Sequence, residues 1–399
     1  MDSKRAGSVA GMFLPLGVRG ASLGLIVAVA SAPSASAATS YTVTDIGLPD
    51  DSSDPSSVQA MGLNDLGEVT GSYTNADGHQ HAFLYTHGVV QDLGTLGGSY
   101  SVGIAVNDSS EVTGSSRPSD ASGDEHAFLH NGVFMDDLGT LGGAISQGRG
   151  INASGEITGE ADVSATARHA FWFDGLTLHD LGVTGGAGSS GGFDLTDTGL
   201  ITGGSITEGG ARHAFFYDGL AMHDLGTLGG FVSEGRGINA TGQIAGFAFT
   251  AGFVQHAFFW DGAIMHDLGT LGGAKSFGNG IDDAGIVVGT SDVDETALTH
   301  AFVWDGAMHD LNDLLVDLPP GVTIELQSVQ YGGSINASGQ IAATGRYLTG
   351  GPGPLAMRAF LLTPVPEPTP AASLAIASVA LAAIARVRRR GVRALDPAA

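Results

Sequence analysis

A motif that returns about every 44 residues governs what this chain can become. A His-Ala-Phe triplet begins at His81, His126, His169, His213, His256 and His300, at intervals of 43 to 45 residues, with a degenerate seventh copy at Arg358-Ala359-Phe360. Each triplet is followed or preceded by an Asp-Leu-Gly-like triplet, at Asp45, Asp92, Asp137, Asp180, Asp224, Asp267 and Asp310. An Asn-x-x-Gly-like turn completes the set, starting at Asn64, Asn107, Asn152, Thr196, Asn239, Asp282 and Asn336. Seven copies of one short pattern point to a repeat architecture before any single residue is considered.

The repeat reads as strands throughout. His169-Ala-Phe-Trp-Phe173 is a β-prone run, and Asp174-Gly175 turns it into Leu176–Leu181. Asn-Gly and Asp-Gly pairs at this place predict two-residue type I′ hairpins, in which both central residues take positive φ. A second hairpin is predicted around Asn152-Ala-Ser-Gly155, where Asn supplies an Asx-turn and Gly a left-handed position. Two hairpins give four strands per unit, and no helical period interrupts them. One such unit cannot bury its faces alone, but stacked units can. The expectation is all-β: a seven-bladed β-propeller of four-stranded antiparallel blades. The alternative is a parallel β-solenoid.

The ends of the repeat region decide between the two. It starts in mid-unit at Tyr41-Thr-Val-Thr-Asp45 and finishes with the strand that start lacks, Arg358–Leu362. Pairing the C-terminal strand with the N-terminal one closes a ring and removes the free edge. A solenoid has no use for that exchange.

Both termini read as addresses. Lys4, Arg5 and Arg19 precede an apolar run at 21–30 and then Ala35-Ser36-Ala37, the layout of a secretory signal cut after Ala37. Near the other end, Val365-Pro366-Glu367-Pro368 precedes an apolar run at 371–385 and then Arg386, Arg388, Arg389 and Arg390. A basic cluster after an apolar segment is retained on the cytoplasmic side. The expected organisation is an export signal at 1–37, a propeller at 38–363, a sorting or anchor segment at 364–391 and a tail at 392–399.

Charge narrows the partners. The body between these ends carries 38 acidic residues against 8 Lys and Arg, and such a surface repels nucleic acid and anionic lipid. The chain has no cysteine, so an exported protein of this kind holds itself by burial and closure, without disulfides.

The units that read His213-Ala-Phe-Phe-Tyr-Asp-Gly, His223-Asp-Leu-Gly-Thr-Leu-Gly-Gly230 and Gly237-Ile-Asn-Ala-Thr-Gly242 resemble the HAF repeat of bacterial extracellular proteins, over roughly residues 41–363. The tail is similar to the PEP-CTERM sorting signal. That resemblance implies processing at Pro366-Glu367-Pro368 by a membrane protease of the exosortase type, a transient or processed anchor, and a Gram-negative envelope or extracellular location. It implies no reaction.

Chemistry is sparse. The repeated histidines, and His179, His223, His266 and His309 beside Asp-Leu-Gly, recur once per unit, which favours a hydrogen bond to a turn or Asp in the same unit over a shared metal centre. Calcium is the one cofactor the acidic turns at Asn64–Gly67 and Asp282–Gly285 bring into question, although no calcium-loop array is present. Function is expected where the copies differ. Three residues before each Asn turn the copies read Met61, Ile104, Arg149, Phe193, Arg236, Asn279 and Gly333, a position expected to face the channel or a rim. Arg149 and Arg236 are candidates to grip a carboxylate or acidic sugar. The connections at 116–125, 161–168, 204–212, 247–255 and 291–299 also vary, and in one of them Phe247, Phe249 and Phe253 are candidates to stack on a sugar. The leading expectation is a non-enzymatic surface or matrix protein that binds polysaccharide or protein. The alternatives are a polysaccharide lyase or glycosidase, which needs an acid or base unique to one blade, and a purely structural matrix component.

Overall fold

The computed structural model describes residues 39–366, apart from 186, 321, 331–333 and 350–355. Its strands form seven four-stranded antiparallel sheets, the blades of a β-propeller. Blades one to six comprise residues 52–92, 101–137, 146–182, 190–224, 229–267 and 276–310. In each the strands lie in chain order from the axis outward: the strand entering the Asn turn, the strand leaving it, the His-Ala-Phe strand, and the short Asp-Leu-Gly strand. The blade boundary therefore falls between the Asp-Leu-Gly triplet and the next Asn turn. The only helix among the described residues is a 3-10 turn at Leu311–Leu314.

Blade seven shows the expected closure. Three of its strands come from the C-terminal part, Val322–Ser328, Ile341–Thr349 and Ala356–Pro364, and the outermost is Tyr41–Asp45. Val43 stands opposite Leu362 and Asp45 opposite Phe360.

The His-Ala-Phe triplet works as one device. Its Phe is fully buried in all seven copies, as is its Ala. Burying each Phe side chain contributes about 2–3 kcal/mol. The core lies between blades: Ala105 and Ala127 of blade two pack with Ile157 and Phe171 of blade three. The Ala must be small because the next blade closes over it, and its amide donates to a serine that opens that blade, as from Ala127 to Ser146 and from Ala170 to Ser190. The His pairs with the Asp of the outer strand, at 2.9 Å for His81–Asp92 and 2.8 Å for His169–Asp180. In the degenerate copy Arg358 takes this part and reaches Asp45 across the closure at 3.4 Å.

The glycine content follows from close approach. A Cβ on Gly159 would lie 2.0 Å from the Gln147 carbonyl, and one on Gly148 would lie 2.1 Å from Thr113 Oγ1 of the preceding blade. The first contact is opposite a β-bulge and the second is between blades, so neither position admits a side chain.

The outer hairpins differ from the type I′ expectation. Phe173 pairs with Leu178, so the loop is four residues, and of Asp174 and Gly175 only Gly175 has positive φ. The Asp174 carboxylate instead accepts the amides of Leu176 and Thr177, both at 2.9 Å. A charged acceptor closes the loop more favourably than a strained Asp backbone would. Blade one does use a two-residue turn, His87-Gly88, with both φ positive.

Candidate functional site

Strand direction gives the propeller two distinct ends. The Asn turns and the outer hairpin loops lie at one end, the turn face. The variable loops and the blade-to-blade crossings lie at the other, the loop face.

On the turn face the seven Asn-type turns converge on the axis around a cavity of about 280 Å³. Asn239 shows why Asn recurs. Its Oδ1 accepts the amides of Thr241 and Gln243 at 3.1 and 3.0 Å, which fixes its own turn. Its Nδ2 donates to Gln243 Oε1 at 2.8 Å and to the Asp282 carbonyl of the next blade at 2.9 Å. The same interblade bond runs from Asn336 to Asn64, Asn64 to Asn107, Asn107 to Asn152 and Asn152 to Thr196. Thr196 and Asp282, with no side-chain amide, cannot extend the chain. Asp65, Asp108, Asp197 and Asp283 reinforce it, each accepting an amide of the blade before. This ring is the structural duty of the turn residues. The Asp282–Gly285 segment that raised calcium is an Asx-turn, with Asp282 Oδ1 accepting the amides of Ala284 and Ile286. Among the described residues no three His, Asp or Glu converge as a metal site would require.

The variable position three residues before each turn is a β-bulge. Pairing skips Met61, Ile104, Arg149, Phe193, Arg236 and Asn279 in blades one to six. A bulged residue has no cross-strand partner to satisfy, which explains its freedom to vary. Gly333 lies outside the described residues.

From blade three onward the bulges and their neighbours form one belt around the axis. Arg149 donates to Glu160 at 2.9 Å and lies 5.7 Å from the Phe193 ring. Arg212 lies 6.0 Å from the same ring and donates to Glu234 at 3.0 Å. Arg236 contacts Glu234 at 3.4 Å, donates to Asn279 Oδ1 at 2.7 Å and covers the Phe247 ring at 4.7 Å. Asn279 donates onward to the Val329 carbonyl. Five of the six candidate binding residues thus meet, but as internal packing. Phe193, Phe247 and Asn279 are buried, and both arginines already face carboxylates. Phe247 corrects the sequence expectation outright. The second strand of blade five runs from Ile244 to Thr250, beyond where the loop was expected to begin, and turns Phe247 toward Phe277 of blade six at 5.3 Å.

Arg149 keeps one open side. With Met61, Ile104, Tyr100, Gln80, Ser115 and Gln147 it lines a cavity of about 210 Å³ toward the loop face. The sixth candidate, Phe253, is exposed at the tip of its loop with φ of 60°. It lies 5.9 Å from Phe231, which lies 5.0 Å from Phe249. Phe231 is half exposed and was not singled out from sequence. The available signal was an aromatic directly after Gly229-Gly230, where other crossings carry Ser99, Ala144 or Ala274.

One acid also escaped notice. Two residues before the turn the blades read Gly62, Ala105, Gly150, Asp194, Gly237, Gly280 and Ser334. The Asp194 carboxylate accepts the amides of Leu195 and, across the blade interface, Ile238, both at 2.9 Å. Desolvation outweighs these bonds and pushes its pKa up to about 7. Of the expected processing residues, Pro366 is exposed beyond the closing strand, and Ala37, Glu367 and Pro368 lie outside the described residues.

The fold and this axial belt define a seven-bladed β-propeller. No protein-family profile matches the sequence, and no curated protein matches it. Solved structures similar to it include TolB from Acinetobacter baumannii, at 10% identity and a TM-score of 0.39, over 75% of this chain and 63% of that one. The chain thus spans under two thirds of that protein's length. Another is a mutant of AofleA from Arthrobotrys oligospora, at 9% identity and a TM-score of 0.37, over 67% of this chain and 90% of that one.

Proposed function

We propose that this protein is an exported, non-enzymatic propeller of the cell surface or extracellular matrix that binds polysaccharide through its loop face. The observation that carries the reading is the aromatic cluster of Phe231, Phe249 and Phe253, in which Phe231 and Phe253 are exposed and the half-buried Phe249 supports them. Two exposed rings held together in water cost solvation unless something covers them, and their flat faces suit the apolar face of a sugar ring. Phe231 and Phe249 lie at strand ends on the loop face and Phe253 on the adjoining loop, which differs from blade to blade, where a fixed scaffold can carry specificity. Export rests on the signal-like N-terminus, and processing by an exosortase-type protease rests on the C-terminal pattern.

The enzymatic alternative draws on Asp194, the acid peculiar to one blade. Its two backbone donors and its enclosure between blades four and five leave it poorly placed for substrate, which favours the binding reading. The test is a polysaccharide panel measured for binding and turnover together. Phe253→Ala and Phe231→Ala are expected to weaken binding to the selected polymer by roughly tenfold each, the equivalent of about 1.4 kcal/mol. Turnover abolished by Asp194→Asn overturns the reading.

A further inference from the structure

Large exposed apolar side chains are concentrated on the turn face. Val89, Val133, Phe134, Leu176, Leu220 and Ile264 are 57–91% exposed, and Leu220 is the extreme at 91%. They lie at or beside the outer hairpin loops of five consecutive blades, one to five. The loop chemistry does not require them: Asp or Asn closes the loop, Gly takes the positive φ, and the following position points into solvent. A polar residue there would serve the loop equally well. Leu66, 58% exposed, adds a further apolar side chain in an Asn turn on the same face.

Both ends of the propeller leave from this face as well. Tyr41 stands opposite Pro364, and the Val365 amide donates to the Ser40 carbonyl at 2.8 Å. In blade seven these two ends occupy the place where other blades carry the outer hairpin loop. The apolar run at 371–385 begins after residues 365–370, and prolines stand at 364, 366, 368 and 370. Six residues span at most about 20 Å, so the run starts close to this face.

We propose that the turn face is a lipid-contacting surface, with its apolar hairpin tips entering the headgroup region beneath a short C-terminal stalk. The inference takes from the sequence reading only the premise that the C-terminal run enters a membrane, applies to the chain before any processing at Pro366-Glu367-Pro368, and does not depend on what the loop face binds. A short tether raises the local concentration of the tips at the bilayer, so that individually weak insertions add up. The lipid is zwitterionic. Asp174, Asp218 and Asp261 stand beside the tips and Asp65, Asp108, Asp197 and Asp283 surround the axis, so anionic headgroups are repelled. The loop face, with Phe231 and Phe253, then points away from the membrane.

The absence of cysteine makes the test direct. The full chain is reconstituted in phosphatidylcholine vesicles as single-cysteine variants carrying an environment-sensitive dye: Leu176→Cys and Leu220→Cys on the turn face, Val254→Cys and Leu298→Cys on the loop face, and Ala377→Cys in the apolar run. The expected result is a blue shift and quenching by nitroxide lipids at 176, 220 and 377, none at 254 and 298, and a smaller shift at 176 and 220 in phosphatidylglycerol-rich vesicles. A response at 377 without one at 176 and 220 overturns the lipid face while leaving the anchor intact. No response at 377 overturns both. Equal responses on the two faces, or a stronger turn-face response in anionic vesicles, also overturn the proposal. Polysaccharide binding by the same variants reports on the loop face separately.

Discussion

Replacing Asn239 separates the two tasks assigned to the Asn turns. The side chain accepts two backbone amides within its turn and donates two bonds, one of them to the Asp282 carbonyl of blade six. It is almost wholly buried, so lost bonds are only partly replaced by water. At about 1 kcal/mol per net hydrogen bond, Asn239→Ala removes these four bonds and a fifth from the Thr241 hydroxyl, and is expected to cost about 3–5 kcal/mol. Asn239→Asp keeps the acceptor oxygens. Gln243 can present its amide nitrogen instead of its oxygen, so the turn is kept while the interblade bond becomes an oxygen–oxygen contact with the Asp282 carbonyl, at about 2–3 kcal/mol. The converse substitution, Thr196→Asn, extends the ring toward Asn239 and should stabilise by about 1 kcal/mol. Urea unfolding of the purified protein reads these differences as midpoint shifts at constant slope. An Asn239→Ala midpoint equal to wild type, or an Asp variant less stable than the Ala variant, would refute the division of labour.

Two other expectations follow from single positions. Asp194 has a folded pKa of about 7 against 3.8 unfolded, so the native state holds the proton more tightly between those values. Stability therefore declines as pH rises from about 4 to about 7, and Asp194→Asn should flatten that part of the thermal-midpoint profile and raise the midpoint at pH 8; an unchanged profile contradicts it. Gly159→Ala places a methyl within 2.0 Å of the Gln147 carbonyl and should cost more than about 3 kcal/mol, whereas Ala at the exposed, positive-φ Gly175, with nothing within 4 Å, should cost only about 1 kcal/mol by circular dichroism melts.

The repeat carried most of the fold into view. The period, the His-Ala-Phe strand and the split unit at the ends follow from spacing alone, and the closure needed only the order of elements. The His–Asp pairing was legible because both partners recur at a fixed offset. What stayed hidden depended on contacts between blades. The position of Arg149 and Arg236 was recognisable as variable, but a bulge is a property of pairing register, which no single strand displays. Phe247 was expected in a loop because the copies vary there, yet the fourth position of the second strand is paired in every blade, from Ser72 in blade one to Thr344 in blade seven. The Asn ring was hidden for the same reason, since the turn explains Asn well enough within one blade. Asp194 is the only charged residue in a row otherwise of Gly, Ala and Ser, a departure that the repeated triplets do not display.

The account stands on the pairing of Tyr41–Asp45 with Ala356–Pro364, and a chain without native cysteine allows it to be trapped. In Val43→Cys/Leu362→Cys the two residues face each other directly across that pair of strands. Mild oxidation is predicted to give an intramolecular disulfide in the native protein and a higher unfolding midpoint than the reduced form, because the bond ties residues 319 apart in the chain. Free thiols, or only intermolecular crosslinks, in folded protein would mean that the ring is open.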